Sequence, residues 1–267
     1  MQNKDQFFYW MKERERVRVR KERKDPKPWS DDPVFQTTYF CNVNREYDKV
    51  TQFIRMMYTH QVNHPLFTPN IILSRFLNWP DTLGYIGYQY HWEPENVKAG
   101  LNELKQHGKV WGNAYVVTTH GIKMDKIDYL CDRVMPSALQ AVELDFNTCL
   151  QAAAGLMFVE GISTFMAGQV IADLKNTPGH PLQKAPDWKT FVLPGPGSKR
   201  GMNWLYGKKL SEREWYMSMD DLLCAATFEG WSLCAQNLQN CLCEFDKYMR
   251  VKNGTGRSKR NYNGLPD

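Results

Sequence analysis

A short glycine-rich stretch in the second half of the chain is the first place where residue types suggest chemistry. Residues 193–201 read LPGPGSKRG, so two glycines flank a proline and a hydroxyl and two cations follow. Glycine tolerates backbone conformations that other residues resist, and the Ser, Lys and Arg can direct N–H and cationic groups at one anion. The stretch predicts a phosphate-binding turn, with a plain solvent-facing turn as the alternative. Its members are Gly195, Gly197, Ser198, Lys199 and Arg200.

This stretch is not a nucleotide-triphosphate loop. The spacing GxxxxGK[ST], which cradles the phosphates of ATP or GTP, is absent from the sequence. The predicted anion is therefore not a nucleoside triphosphate, and a phosphate of the DNA backbone remains the candidate.

A second glycine turn lies at residues 159–167, which read VEGISTFMA. The order Glu160, Gly161, Ile162, Ser163 and, four positions on, Ala167 resembles the spacing of a helix-hairpin-helix. In that motif a tight glycine turn lets backbone N–H groups at a helix N-terminus hold a DNA phosphate. Ser163 stands where the usual hairpin has a second glycine, so a routine helix start is the alternative. The motif predicts DNA-backbone contacts at Gly161 and Ser163.

Positive charge is concentrated near the N-terminus. Residues 12–27 hold nine Lys or Arg against four acidic residues, and this excess equals the net charge of +5 of the whole chain. A basic helix or arm on a neutral body suits a polyanion, because neutralising phosphates releases counterions. The alternative is a solvated helix with i,i+4 ion pairs. The predicted DNA-backbone contacts are Arg14, Arg16, Arg18 and Arg20.

These residues must be positioned mainly by helices. Apolar residues recur at helical spacing through residues 45–58, 71–77, 95–107, 126–158, 162–175 and 210–251, whereas only residues 110–123 alternate like a strand. The pattern predicts a mainly α fold with at most a small β-hairpin. The expected organisation is a basic N-terminal arm or helix over 1–30, a helical catalytic domain over 31–252 and a flexible polar tail over 253–267.

Composition excludes several classes of protein. The apolar runs are too short to span a bilayer, and the N-terminus has no long apolar segment of the secretory type. Seven cysteines without a CxxC pair or His partner at zinc spacing indicate reduced thiols and no metal site. We therefore expect a cytoplasmic protein.

Five separated stretches resemble one family. They are TTYFCNVNREYDKVT (37–51), FLNWP (76–80), EGISTFMAGQVIADL (160–174), GPGSKRGMN (195–203) and QNCLCEFDKYMR (239–250). They resemble the alpha-glutamyl/putrescinyl thymine pyrophosphorylases, whose phage members are described as amino acid:DNA transferases. The same module also resembles the helical part attached to phage hydroxymethyluracil DNA kinases. Because the kinase phosphate loop is missing here, the stand-alone transferase is favoured.

The resemblance implies a role in thymidine hypermodification of viral DNA. A separate kinase first phosphorylates hydroxymethyluracil in double-stranded phage DNA, and the transferase then displaces the (pyro)phosphate with the amine of a free amino acid, glycine being the first choice. No metal or nucleotide cofactor is implied. The expected fold is a helix-hairpin-helix, DNA-glycosylase-like helical domain, and the expected location is the cytoplasm of the infected bacterial host.

The implied reaction assigns roles to residues inside these motifs. A flipped pyrimidine must be sandwiched and hydrogen-bonded, which suits amide and aromatic side chains at helix ends, although caps and a core Trp are the alternative. The predicted base-binding residues are Asn42, Asn44, Asn78 and Trp79. An arginine can clamp the carboxylate of the amine donor bidentately, for which we predict Arg45 or Arg75.

A carboxylate must take the proton of the attacking amine. The predicted catalytic acids are Glu160, Asp246 and Glu46, although such acids can equally be structural partners of Arg45, Lys247 or Arg250. Addition of Cys41 or Cys241 to the pyrimidine ring is a further, less favoured route.

Two other functions stay open on the sequence. One is a glycosylase-like enzyme that excises modified pyrimidines with Asp220 or Asp221, which lie just beyond the expected offset from the 195–197 turn. The other is a non-catalytic module in which the glycine turns and the basic arm grip DNA phosphates.

Overall fold

The structure, a computed structural model, describes residues 1–114, 117–141, 146–256 and 262–265. Within these ranges the chain is mainly helical and forms no strand, which confirms the mainly α prediction. The α-helices are α1 (Lys4–Glu22), α2 (Pro33–Thr37), α3 (Lys49–Tyr58), α4 (Phe67–Leu77), α5 (Pro80–Ile86), α6 (Pro94–His107), α7 (Lys126–Tyr129), α8 (Met135–Ala141), α9 (Cys149–Leu156), α10 (Thr164–Leu174), α11 (Pro196–Tyr206), α12 (Glu212–Phe228) and α13 (Ala235–Lys252). No helix among these residues is both long and apolar enough to cross a membrane.

The strand-like segment at 110–123 forms no hairpin in its described part, and residues 115–116 lie outside the described ranges. Its backbone instead bonds to the ends of neighbouring helices. Gly112 donates to the carbonyl of Leu77 at 2.7 Å, and the carbonyl of Val110 accepts from the hydroxyl of Thr82 at 2.8 Å. Because the N–H of Gly112 and the carbonyl of Val110 already have hydrogen-bond partners, pairing them in a local β-ladder would add no hydrogen bond.

The chain divides into two compact units. Unit 1 combines Met1–Asp48 with Val192–Asp267, and unit 2 is the continuous stretch Lys49–Phe191. The sequence instead suggested an arm over 1–30 and one domain over 31–252. Local periodicity cannot show that the first and last segments of a chain share one core, because that pairing is decided by packing.

Helix α1 belongs to the core of unit 1. Its apolar residues follow helical spacing, so Phe7, Trp10 and Met11 lie on one face and are fully buried. The ring of Phe7 meets that of Phe245 from α13 edge to face at 5.2 Å. Residues 4–22 therefore form a helix that contributes to the core of unit 1.

The basic residues of α1 are largely engaged within unit 1. Arg14 is 6% exposed, and its Nε donates to the carbonyls of Phe40 and Cys41, each at 3.0 Å. This geometry rules out the predicted phosphate contact at Arg14. Arg18 pairs with Glu15 and, at 2.6 Å, with Glu22.

The other two arginines of α1 that were predicted to contact the DNA backbone, Arg20 and Arg16, differ in their partners and exposure. Arg20 donates to the carbonyl of Trp29 at 3.2 Å. Arg16 remains 59% exposed while pairing with Glu13 at 3.1 Å. Of the four arginines, Arg16 thus keeps the most accessible charge for a polyanion.

Unit 2 is tied together by a buried ion pair. Arg75 on α4 is 2% exposed and holds the carboxylate of Asp173 on α10, which is fully buried. Its guanidinium also donates to the hydroxyl of Thr51 at 2.9 Å and to Oδ1 of Asn78 at 3.3 Å. Three helices, α3, α4 and α10, are cross-linked in this way.

A tight turn joins α9 to α10. Gly161 has φ = +78°, a left-handed conformation that favours glycine. A Cβ there would also lie 3.1 Å from the hydroxyl of Tyr129 and 3.2 Å from Val134. The glycine is thus required by the turn, and the helix-hairpin-helix motif itself stays a prediction.

Candidate functional site

The stretch 193–201 forms the start of helix α11. Gly195 caps the helix, and Pro196 occupies its first position, where a proline ring is already suited to helical geometry. Ser198 is fully buried, and its hydroxyl accepts from the N–H of Gly195 and donates to the same residue's carbonyl, each at 3.0 Å. Helix capping therefore occupies the N–H of Gly195 and the hydroxyl that were predicted to bind phosphate.

The glycines of this stretch serve helix packing. Neither Gly195 nor Gly197 has a positive φ. A Cβ on Gly197 would approach Sγ of Cys243 to 2.9 Å, and one on Gly201 would overlap the carbonyl oxygen of Leu242. Both neighbours belong to α13, so small residues let α11 and α13 lie in close contact. The predicted glycine cradle for phosphate is replaced by a helix–helix contact.

The two cations of the stretch have different surroundings. Lys199 pairs with Glu212 at 2.9 Å on the surface. Arg200 is 53% exposed and donates from Nε and Nη2 to Asp246, at 3.0 and 2.9 Å. Of these two cations, Arg200 is the one that contacts another residue predicted to belong to the site, Asp246.

Asp246 forms hydrogen bonds or ion pairs with three side chains of this site. It is 1% exposed and accepts from Arg200, from Nε of Arg250 at 3.2 Å and from Nε1 of Trp204 at 3.3 Å. A buried carboxylate that holds three donors is a positioning group. The role of general base that was predicted for Asp246 does not fit this geometry, because its oxygens are occupied and shielded from solvent.

The two guanidinium groups lie at an open groove of about 670 Å³ in unit 1. Each arginine has five N–H donors, and the bonds to Asp246 leave several of them on each side chain unused by that carboxylate. Lys208 adds a third cation, shared with Glu214 at 3.0 Å. The lining residues are Gln2, Asn3, Arg200, Asn203, Trp204, Gly207, Lys208, Asp246, Arg250 and Thr255.

The groove is suited to a phosphate. Planar guanidinium groups bind phosphate oxygens in pairs, and arginines that are fixed in advance lose little entropy on binding. Among the described residues of the lining, Asp246 alone carries a carboxylate, and it is buried and paired with the two arginines. An anion in the groove would thus meet cations directly.

The sequence identified part of this site. It marked Arg200 and Asp246 separately and treated Arg250 only as a structural partner of acids. Arg250 lies four residues after Asp246 on one helix, so the i,i+4 spacing could have shown the pair. Trp204, Asn203 and Lys208 carried no comparable signal, because their position depends on how α11 packs against α13.

The predicted base-binding loop in unit 1 is held by its own bonds. Asn42 contacts Arg14 and donates to the carbonyl of Tyr47 at 2.8 Å. Asn44 caps the short helical turn Arg45–Tyr47 by accepting from the N–H of Glu46 at 3.0 Å. None of Asn42, Asn44, Arg45 or Glu46 lines the groove.

The predicted residues in unit 2 also have structural partners. Arg75 cannot clamp the donor carboxylate, because it is buried against Asp173. Asn78 ends α4 in a left-handed conformation with φ = +48°. Trp79 packs its ring under the Nζ of Lys109, 3.6 Å from the ring centroid.

Glu160 pairs with Arg133 at 3.0 Å on the surface. Ser163 precedes α10, is exposed, and makes no side-chain capping bond. The structure therefore gives Glu160 a surface partner and leaves Ser163 accessible to a polyanion.

Three cysteines of unit 1 are poor nucleophiles. Burial raises the pKa of Cys41 and that of Cys243 to about 12, and it raises the pKa of Cys241 well above its usual value. Since the thiolate is the reactive form, addition of Cys41 or Cys241 to a pyrimidine is disfavoured. In the described ranges no three His, Cys, Asp or Glu residues are grouped so as to hold a metal ion.

Comparison with known proteins gives one family and one relative to consider. A family model described as "5-hmdU DNA kinase, helical domain" matches residues 2–258. A 5-hmdU DNA kinase of Bacillus phage SP10 is 23% identical over 228 residues, which cover 76% of this chain and 36% of the kinase. The chain thus spans about a third of that relative's length. No solved structure matches the chain.

Proposed function

Because the chain belongs to the family of 5-hmdU DNA kinase helical domains, we propose that it acts on hydroxymethyluracil-derived nucleotides during thymidine hypermodification of phage DNA. The matched relative is named a kinase, whereas this sequence contains no GxxxxGK[ST] loop for a nucleotide triphosphate. We propose the step that follows phosphorylation, because the arginine pair at the groove is suited to a departing phosphate.

The proposed reaction is the displacement of phosphate from 5-phosphomethyl-deoxyuridine in DNA by the amine of a free amino acid, with glycine as the first donor to test. The bond between the exocyclic methylene carbon and the phosphate oxygen breaks, and its electron pair leaves with the phosphate. The amine nitrogen forms the new bond to that carbon and loses one proton. The product carries the amino acid on the 5-methylene carbon of the base through a secondary amine.

The observation that carries this proposal is the arginine pair ordered by buried Asp246. Negative charge develops on the departing oxygen, and fixed cations stabilise that charge more in the transition state than in the ground state. Arg200 and Arg250 supply such cations at the groove, and Trp204 supports the same carboxylate. The groove is thus proposed as the site of the leaving phosphate.

Mass spectrometry of nucleosides tests the reaction. DNA that carries phosphorylated hydroxymethyluracil is incubated with the protein and a pool of amino acids and is then digested. A new adduct together with released phosphate is expected. An abasic site would indicate a glycosylase, for which Asp220 and Asp221 were the candidates. Unchanged bases would indicate a non-catalytic DNA-binding module.

Variants of the groove test the site. Arg200→Gln and Arg250→Gln are each expected to lower the rate of adduct formation by about 100-fold, which is typical for the loss of one transition-state donor. Lys209→Gln is the matched control, because Lys209 is exposed next to Lys208 and does not line the groove. Normal turnover by both arginine variants would refute the assignment.

A further inference from the structure

Unit 2 contains a second cavity, of about 170 Å³, whose lining shares no residue with the groove of unit 1. Aliphatic side chains such as Ile72, Leu156 and Leu174 and the ring of Phe146 form much of its wall, and none of the described residues that line it is charged. Burial of a charge without a partner is costly, so these lining residues favour an uncharged group over a phosphate or a zwitterionic amino acid.

The size of the cavity limits that group to one ring. A cavity of about 150 Å³ with an apolar lining accommodates a benzene molecule. At about 170 Å³ the cavity is close to that size, so one six-membered ring with a small substituent is expected to fit it better than the two fused rings of a purine.

Two polar groups in the lining point to a ring with hydrogen-bonding edges. Nδ1 of His180 accepts from the N–H of Leu182 at 3.2 Å, so the ring proton lies on Nε2. Burial lowers the pKa of His180 to about 4, and the imidazole is uncharged at neutral pH. No residue that the structure describes is hydrogen-bonded to this N–H or to the hydroxyl of Thr68, which also lines the cavity.

We propose that this cavity of unit 2 binds the uncharged pyrimidine ring of an extruded nucleotide, such as thymine or 5-hydroxymethyluracil. The Nε2–H of His180 donates to a ring carbonyl, the hydroxyl of Thr68 accepts from or donates to the same edge, and Phe146 and the aliphatic residues contact the ring. Enzymes that extrude bases read them by this combination of edge hydrogen bonds and apolar walls. The inference rests on the proposed function only in taking DNA as the ligand.

Nucleoside titration of the full chain tests the cavity without any need for catalysis. The methyl resonance of Ile72 is followed by NMR while thymidine, 5-hydroxymethyl-deoxyuridine or deoxyadenosine is added. Saturable shifts are expected with the two pyrimidines and none with deoxyadenosine. Equal binding of deoxyadenosine, or no binding of either pyrimidine, would overturn the inference.

Three variants locate the binding. Ala152 lines the cavity, and Ala152→Leu is expected to abolish the shifts by filling it; Ala154→Leu is the control, because Ala154 lies on the exposed side of the same helix. Thr68→Val removes the hydroxyl and His180→Asn removes the Nε2–H donor, so about tenfold weaker pyrimidine binding is expected from the loss of one hydrogen bond in each variant. The Asn variant keeps an acceptor for the N–H of Leu182.

The outcomes separate this inference from the proposed function. If pyrimidines bind as expected but no adduct forms on DNA, the transferase proposal fails and the cavity assignment stands. If adducts form while Thr68→Val and His180→Asn bind thymidine as tightly as the parent protein, the cavity assignment fails alone.

Discussion

At the scale of single residues, Asp246 shows how burial decides a role. In the sequence it is an acid within CEFDKY, equally suited to take a proton or to pair with a cation. In the structure it is 1% exposed and holds Arg200, Arg250 and Trp204. Its function in the proposed reaction is thus to orient cations.

This role predicts a split between binding and turnover in Asp246→Asn. The substitution removes a negative charge beside the two arginines, so the affinity for DNA is expected to hold or rise. The rate of adduct formation is expected to fall by about 100-fold, because misplaced groups lose most of their catalytic effect. Separate measurement of kcat and KM by nucleoside mass spectrometry checks this.

The control for this substitution is Asp31→Asn, which changes an exposed carboxylate of unit 1 that does not line the groove. It is expected to leave both constants unchanged. A parent-like kcat in Asp246→Asn would contradict the positioning role.

At the scale of elements, the contact between α11 and α13 builds the groove. Arg200 and Trp204 come from α11 and Asp246 and Arg250 from α13, so the site exists only where these helices touch. The glycines at 197 and 201 stand four residues apart on α11 and face α13. Small side chains at this spacing therefore set the distance between the two halves of the site.

Gly201→Ala is expected to destabilise the protein by about 1–3 kcal/mol, because the new methyl group overlaps the backbone carbonyl of Leu242. Gly195→Ala is the matched control: a Cβ there has its nearest neighbour at 3.8 Å, and its φ of −102° suits alanine. Denaturant unfolding of both variants measures the difference. Equal stability of the two would show that α11 can move away from α13 without cost.

At the scale of the whole molecule, the division into two units changes how the basic N-terminus is understood. Helix α1 supplies Phe7, Trp10 and Met11 to the core of unit 1. Much of its positive charge is used inside that unit, as the contacts of Arg14 and Arg18 show. The net charge of α1 is therefore larger than the charge that α1 can present to DNA.

Deletion of residues 1–22 is accordingly expected to unfold unit 1, and not merely to weaken DNA binding. Removal of fully buried aromatic residues is expected to lower the free energy of unfolding by more than the whole stability of a domain of this size. Hydrogen exchange should show lost protection of α12 and α13. Retained protection there would contradict the structural role of α1.

Arg16→Gln is the variant that separates charge from folding. It removes an exposed cation, so it is expected to leave exchange unchanged and to lower the salt dependence of DNA binding by about one counterion.

The sequence by itself determined the helical class and much of the local structure. Helical periodicity indicated α6, α10, α12 and α13, because it reflects contacts within a few turns of one helix. The requirement for glycine at Gly161 was also visible, since it follows from the conformation of a short turn.

Only the tertiary structure decided which of the predicted residues act together. Arg200 and Asp246 are 46 positions apart, and their ion pair depends on the close contact of two helices that no local pattern encodes. The same holds for Arg75, whose burial against Asp173 across 98 positions turned a predicted ligand clamp into a structural cross-link. Side-chain type is fixed by the sequence, whereas accessibility and partners are set by packing between distant segments.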